Sequence, residues 1–387
     1  MKGILRIAFF VLLVITLAVP VFAGGNKEAA GDVIKIGVFQ PLTGANAAGG
    51  ALEVEGIRLA HDLNPTVVVG GKTYRVDLVI ADNRSDKVEA ANAMQRLVDR
   101  DKVNVVLGSW GSSLSMSGGE VARGKVPCIG LSCTNPLVTL GNDWYFRVCF
   151  IDPFQGTVMA NYAFNDLKAK TAVIVQEVSN DYSVGLAKFF TDNFVRLTGN
   201  RNAILTVVNY NTGDQDFSAQ LTTVRGHNPD VIFAPGNYTE SALVMKQARE
   251  LGINVPVIGG DTWETPEFID VGGARVEGAA FSTFFAAEFA GTPQAKTFLE
   301  EYAKRYNNKE PAAVTALGYD GYLVALDAIK RAGSTDPARI RDAIAKTAGF
   351  VGATGTTTLD ENGDATKSAY IKTVQNGRFV FKTIVNP

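Results

Sequence analysis

The chain has 387 residues, with 37 basic and 39 acidic side chains, two histidines and three cysteines. This mildly acidic balance, without a basic cluster, argues against nucleic acid as a partner. Cys128, Cys133 and Cys149 are too few for a disulfide framework and too irregularly spaced for a zinc site, so no metal or cofactor is expected, and the length suits about two domains of ordinary size.

The chain opens with Lys2 and Arg6, runs apolar from Ile7 to Val19, breaks at Pro20 and ends the segment with Val21, Phe22 and Ala23. The run is shorter than the roughly 20 residues that span a bilayer. The order basic, apolar, small marks residues 1–23 as a secretory signal cut after Ala23. No cysteine stands at the cut, so no lipid attachment is expected. Losing Lys2 and Arg6 makes the formal charge of -2 more negative by two. The mature product is expected to be soluble, monomeric and periplasmic or otherwise extracytoplasmic, with its thiols buried and free.

From Val33 short β-branched runs alternate with helical segments, the pattern of parallel sheets covered by helices. In chain order the expected strands are Ile34–Phe39, Tyr74–Ala81, Val103–Leu107, Val126–Leu131 and Tyr145–Phe150, then Ala172–Gln176, Ile204–Tyr210, Val231–Ala234, Val255–Ile258 and Phe281–Phe284. Between them lie amphipathic helices, with Val88, Ala91, Met94 and Leu97 on one face and Leu243, Gln247 and Leu251 on another. The break at Asp152, Pro153, Phe154, Gln155 and Gly156 marks the first crossing between two lobes. Helices over Pro293–Tyr306, Val314–Ala332 and Pro337–Thr347 have no strands of their own and must return to the first sheet. The alternating tail, turned at Asn376-Gly377, forms a hairpin. The expected fold is α/β: two Rossmann-like lobes with parallel sheets joined by a hinge, lobe 1 from 24–151 plus 284–357 and lobe 2 from 152–283 plus 358–387.

Ligands of open parallel sheets bind beyond the carboxyl ends of the strands, so the loops there carry the functional signal. Ser112 and Ser113 begin a helix after a strand, where backbone N–H groups, hydroxyls and the helix dipole converge on a carboxylate site; Ser112 could instead only cap the helix. Thr134 follows in the next loop as a second hydroxyl, or as a plain turn residue. Asp261, between Gly260 and Trp263, offers a charge for an ammonium, or is a solvated loop acid or helix cap. Tyr182 and Asn237, with Trp110 nearby, are candidates to line a side-chain pocket.

Several stretches together (Ile36-Gly37-Val38 through Thr43-Gly44, Gly108 to Ser113, Thr134-Asn135-Pro136, Asp181-Tyr182 with Gly185, Asp216-Phe217-Ser218, Gln247-Ala248-Arg249 with Gly252) resemble the type I periplasmic solute-binding proteins, in the leucine/isoleucine/valine-binding branch. The resemblance covers nearly all of the mature chain. It implies a substrate-binding component of an ABC importer, with a membrane permease as partner and a small amino acid, branched-chain or a related aliphatic or polar one, held by hinge closure. It implies that Ser112 and Thr134 bind the carboxylate, that the carbonyl of Ser132 or Cys133 accepts from the ammonium, that Tyr182 lies in the cleft and that Asp261 pairs with the ammonium. Two departures stand out: Gly49 and Asn237 occupy positions where such proteins often carry aromatics.

An enzyme is the rival class, since parallel α/β sheets host many activities. His61 lies inside the first helix and His227 in a helix-to-strand turn, so neither can serve Ser112 as a base. No phosphate fingerprint or HExxH motif occurs. A periplasmic sensor, or a binder of amides or urea, shares the fold and remains an alternative.

Overall fold

The computed structural model describes residues 32–387, so the expected signal at 1–23 lies outside the described residues. The first sheet and its covering helices run β1 (Val33–Gln40), α1 (Ala47–Leu63), β2 (Thr66–Val69), β3 (Lys72–Asp82), α2 (Lys87–Gln95), β4 (Val105–Leu107), α3 (Ser112–Ala122), β5 (Cys128–Gly130) and β6 (Tyr145–Arg147). Its strand order is β2-β3-β1-β4-β5-β6, parallel except for β2. The expected strands lacked β2, which pairs back on β3 through Gly70-Gly71, both at positive φ. Two glycines between β-branched runs are a hairpin signal of their own.

The second sheet begins after the crossing, with α4 (Asp152–Asn161), β7 (Ala172–Glu177), α5 (Asp181–Thr198), β8 (Ile204–Tyr210), α6 (Ser218–His227), β9 (Val231–Phe233), α7 (Tyr238–Glu250), β10 (Val257–Gly259), α8 (Pro266–Gly272) and β11 (Ala280–Thr283). There follow α9 (Pro293–Arg305), α10 (Ala313–Ala332), α11 (Pro337–Ile344), a small hairpin β12 (Phe350–Gly352) and β13 (Gly355–Thr357), then β14 (Ala369–Gln375) and β15 (Arg378–Val385). The second sheet has the order β15-β14-β11-β10-β9-β7-β8, its last two strands antiparallel. The tail hairpin turns at Asn376-Gly377, both at positive φ.

The late helices return to the first sheet, where α10 packs along α1. A Cβ on Gly56 would strike the Thr315 carbonyl, and one on Gly318 would strike that of Glu53, so this glycine pair lets the two backbones touch. Two expected helix faces are corrected. On α2 Val88 is 69% exposed, and the buried stripe is Ala90, Ala93, Met94 and Leu97. On α7 Leu251 is exposed, and Ala242, Val244, Met245 and Ala248 face the core. In both helices alanines share the buried face with larger apolar residues, Met94 on α2 and Val244 and Met245 on α7.

Candidate binding site

Strand order reverses between β1 and β4 in the first sheet and between β7 and β9 in the second. Loops leaving the carboxyl ends of strands diverge at such points and leave a crevice. The two crevices face each other across a cavity of about 270 Å³, walled by Asn46, Trp110, Ser112 and Ser132 on one side and by Glu177, Asn180, Tyr182, Asn237 and Asp261 on the other.

The first wall carries one acid and one base, Asp86 and Lys87, and is otherwise lined by neutral residues. Ser112 is the first residue of α3, and Gly111 before it has no side chain with which to cap. Ser112 is therefore inside the helix, and the capping alternative falls away. Among the described residues no protein acceptor takes the N–H of Ser112 or Ser113. The Ser112 hydroxyl accepts from the Asn135 N–H at 3.1 Å, which leaves its own proton to give. This free, buried helix end is suited to an anion.

Behind that wall stands Glu53, wholly buried on the apolar stripe of α1. The Ser132 hydroxyl donates to its Oε1, and Gln40 Nε2 donates to its Oε2 at 2.5 Å. Burial pushes its carboxyl up to about 8, against the pull of those two bonds. Gln40 also accepts the backbone N–H of Trp110 at 2.8 Å. The Trp110 indole lies over Gly49, where any Cβ would collide with the ring. The aromatic missing at position 49 is thus supplied from position 110.

The second wall is acidic. Asp261 is 3% exposed, and its Oδ1 accepts from Gln155 Nε2 at 2.6 Å and from the Tyr182 hydroxyl at 2.9 Å. Burial raises its carboxyl to about 6, and the two bonds only partly oppose this. Among the described residues no cation pairs with it. A buried carboxylate without a counter-charge is costly. Nearby Asp152 is fully buried with both carboxyl oxygens unpartnered, and burial, then the charge of Asp261, hold it well above the carboxylate range.

The walls also touch at the rim. Asp181 accepts from Ser113 Oγ and Lys87 Nζ, each at 2.8 Å, and its carbonyl accepts from Asn135 Nδ2 at 2.8 Å. On the other side Asn237 Nδ2 donates to Asn46 Oδ1 at 3.0 Å, and the Tyr238 hydroxyl donates to the Ala45 carbonyl at 2.8 Å.

A model of periplasmic binding proteins matches residues 33–378. The chain belongs to the periplasmic binding protein family. Among solved members it is similar to a leucine binding protein LivK from Thermotoga maritima, with 45% identity, a TM-score of 0.87, and 92% of this chain and 99% of that one covered. It is also similar to the branched-chain amino acid transporter substrate binding protein LivJ from Streptococcus pneumoniae, determined with isoleucine: 33% identity, TM-score 0.83, 92% and 100% covered. An amino acid binding protein of Pseudomonas aeruginosa is 29% identical over 92% of this chain and 94% of the relative.

Of the residues singled out in the sequence of this binding protein, Trp110, Ser112, Ser132, Tyr182, Asn237 and Asp261 meet on one cavity. Cys133 is corrected: its thiol packs in the core, its carbonyl accepts from Arg147 Nη1 at 2.7 Å, and of the two residues only Ser132 lines the cavity. Thr134 is buried and off the cavity wall; its carbonyl accepts from the Asp152 N–H at 2.9 Å while its hydroxyl has no protein partner. Glu53, Gln40, Gln155, Asn46, Glu177 and Asn180 were not anticipated. Glu53 alone left a signal, a carboxyl on the stripe of Gly49, Gly56, Ile57 and Ala60.

Proposed function

We propose that this chain is the extracytoplasmic substrate-binding component of an ABC importer, capturing a free α-amino acid between its lobes. The observation that carries this reading is a matched pair of vacant electrostatic partners in one cavity: the open N-terminus of α3 with the Ser112 hydroxyl, and the unpaired Asp261 carboxylate opposite. Their signs suit the carboxylate and ammonium of an amino-acid zwitterion. Ser132, on the cavity wall beside Ser112, adds its carbonyl to the ammonium pole. Urea or an amide would leave the charge of Asp261 unanswered.

The lobes are assigned as 24–151 plus 284–357 and 152–283 plus 358–387, with 1–23 removed on export. The protein acts as a monomer that delivers its ligand to a membrane permease. Neither histidine lines the cavity: His61 Nε2 lies 2.9 Å from the Val76 carbonyl oxygen, and His227 ends α6. That arrangement supports binding without turnover. The relatives' printed names, leucine and branched-chain amino acid binding, support the same role.

Thermal shift with α-amino acids, their amides and their decarboxylated amines tests the reading. Free amino acids at 100 times their dissociation constant should add about 2.7 kcal/mol of stability, while the amides and amines should not. A shift produced only by urea or amides would overturn the proposal.

A further inference from the structure

Resting on the amino-acid reading, a narrower one follows from the cavity wall between the two poles. Asn46, 9% exposed, lines the cavity, and its Oδ1 accepts from Asn237 Nδ2 at 3.0 Å. Asn237 in turn accepts from Asn180 Nδ2 at 3.3 Å. Both residues are fixed from behind by Glu177, which accepts from Asn180 Nδ2 at 3.1 Å and from the Asn237 N–H at 3.0 Å. With its oxygen engaged, the Asn46 amide must turn its nitrogen away from Asn237. Among the described residues that nitrogen, a donor of two hydrogens, has no protein acceptor, and the residue that carries it lines the cavity.

We infer that the cleft selects an amino acid whose side chain is small, uncharged and carries a hydrogen-bond acceptor, a hydroxyl or a carboxamide, over one with an aliphatic side chain. An aliphatic group packed there would strip water from the Asn46 amide and return no bond, and a site built to bond a polar group discriminates strongly against the analogue that lacks it. Charge narrows the class from both sides. An acidic side chain would face Glu177 and Asp261, while the lysine on the wall, Lys87, is already 2.8 Å from Asp181. A cationic side chain would find both Glu177 oxygens already accepting, Oε1 from the Thr212 hydroxyl at 2.5 Å and Oε2 from Asn180 and Asn237, whereas both donors to Asp261 use Oδ1 and, among the described residues, leave Oδ2 without one. Size is limited by the Trp110 indole, which fills the space over Gly49.

Calorimetric titration of the mature chain with near-isosteric pairs, threonine against valine and asparagine against leucine, tests this. The polar member of each pair should bind about tenfold more tightly or better. In Asn46→Leu the threonine-to-valine ratio should fall to near one or invert. The ratio is read within one protein, and the wild-type ratio decides the matter even if that variant does not fold. Valine or leucine outcompeting its partner would overturn the inference and leave the amino-acid reading intact. A ratio unchanged in a folded Asn46→Leu would overturn the role given to Asn46. Binding of no α-amino acid at all would overturn both readings.

Discussion

Asp261 and Glu264 stand three residues apart in the loop after β10, both about 3% exposed, yet their surroundings are opposite. Glu264 is answered on every side: Lys372 Nζ donates at 2.7 Å, the Thr283 hydroxyl donates to the second oxygen, and the Ala313 N–H at the start of α10 donates at 3.3 Å. Asp261 receives only neutral donors, from Gln155 and Tyr182. One acid ties the second sheet to a helix of the first lobe; the other meets only neutral donors, as the proposed ammonium pairing requires. A buried carboxylate thus reveals its role by whether the fold provides its partner.

The largest effect expected from this contrast is on stability. Glu264→Ala strands the Lys372 ammonium in the interior, and breaking a buried pair in this way costs about 3 to 5 kcal/mol. Chemical denaturation should show that loss for Glu264→Ala. Asp261→Asn should leave the ligand-free protein at least as stable as wild type at pH 7, because it removes an unpaired buried charge. Equal destabilisation by both would erase the distinction.

On affinity the order reverses. On the proposed pairing of Asp261 with the ligand ammonium, Asp261→Ala should weaken binding by about 2 to 5 kcal/mol. Ser112→Ala deletes one hydrogen bond to a charged group, about 1.5 to 3 kcal/mol, and leaves the α3 N–H groups in place. Titration calorimetry of both variants ranks the two poles. Scattering with saturating ligand adds the mechanism: wild type should compact on binding and Asp261→Ala should not, since differential affinity for the closed state drives the hinge.

The same carboxylate makes affinity and stability respond to pH in opposite directions. Its folded-state value, raised to about 6, lies above the unfolded value of 3.8, so the native state holds the proton more tightly. Its contribution to ligand-free stability is fully present below the unfolded value and is lost as pH rises through 6. Ligand affinity follows the ionised form, so it should fall about tenfold per pH unit below 6 and level off above it. Asp261→Asn should flatten this affinity profile. A wild-type profile flat between pH 5 and 7 would place the ammonium elsewhere.

Most of the fold was legible because its signals are periodic and local. Apolar runs marked the parallel strands, and Asn376-Gly377 marked the terminal hairpin. The helix faces were less so: on α2 Val88 is exposed while Ala90, Ala93 and Met94 are buried, so the spacing of large apolar residues does not by itself record the contact. At the site, loop residues next to strand ends were legible, Asp261 and Ser112 above all, because the topology alone carries them to the crevice. Glu53, Gln40 and Gln155 act from behind the wall, from α1, the end of β1 and α4, and apart from the carboxyl on the α1 stripe their positions depend on tertiary packing that no spacing records. Cys133 misled because adjacent loop residues point to opposite sides, and its carbonyl is claimed by Arg147 from within the core.

The smallest effect expected is at the rim, where closure is assisted without ligand contact. Asp181 sits at the start of α5, beside Tyr182, and reaches across to Ser113 and Lys87 of the other lobe. Partial burial works against its ionised form, yet the bonds from Lys87 and Ser113 hold its carboxyl below the usual range. Lys87 and Asp181 are about half exposed, 50% and 44%, so solvent screens the pair and its worth is about 1 kcal/mol or less. Since these bonds join lobe to lobe, Asp181→Asn should weaken every amino-acid ligand by the same small factor, chiefly through faster dissociation. Wild-type affinity should fall modestly with added salt and the variant's should not. Stopped-flow dissociation at low and high salt reads both effects. A loss that differed from ligand to ligand would mean that Asp181 touches the ligand instead of fastening the lobes.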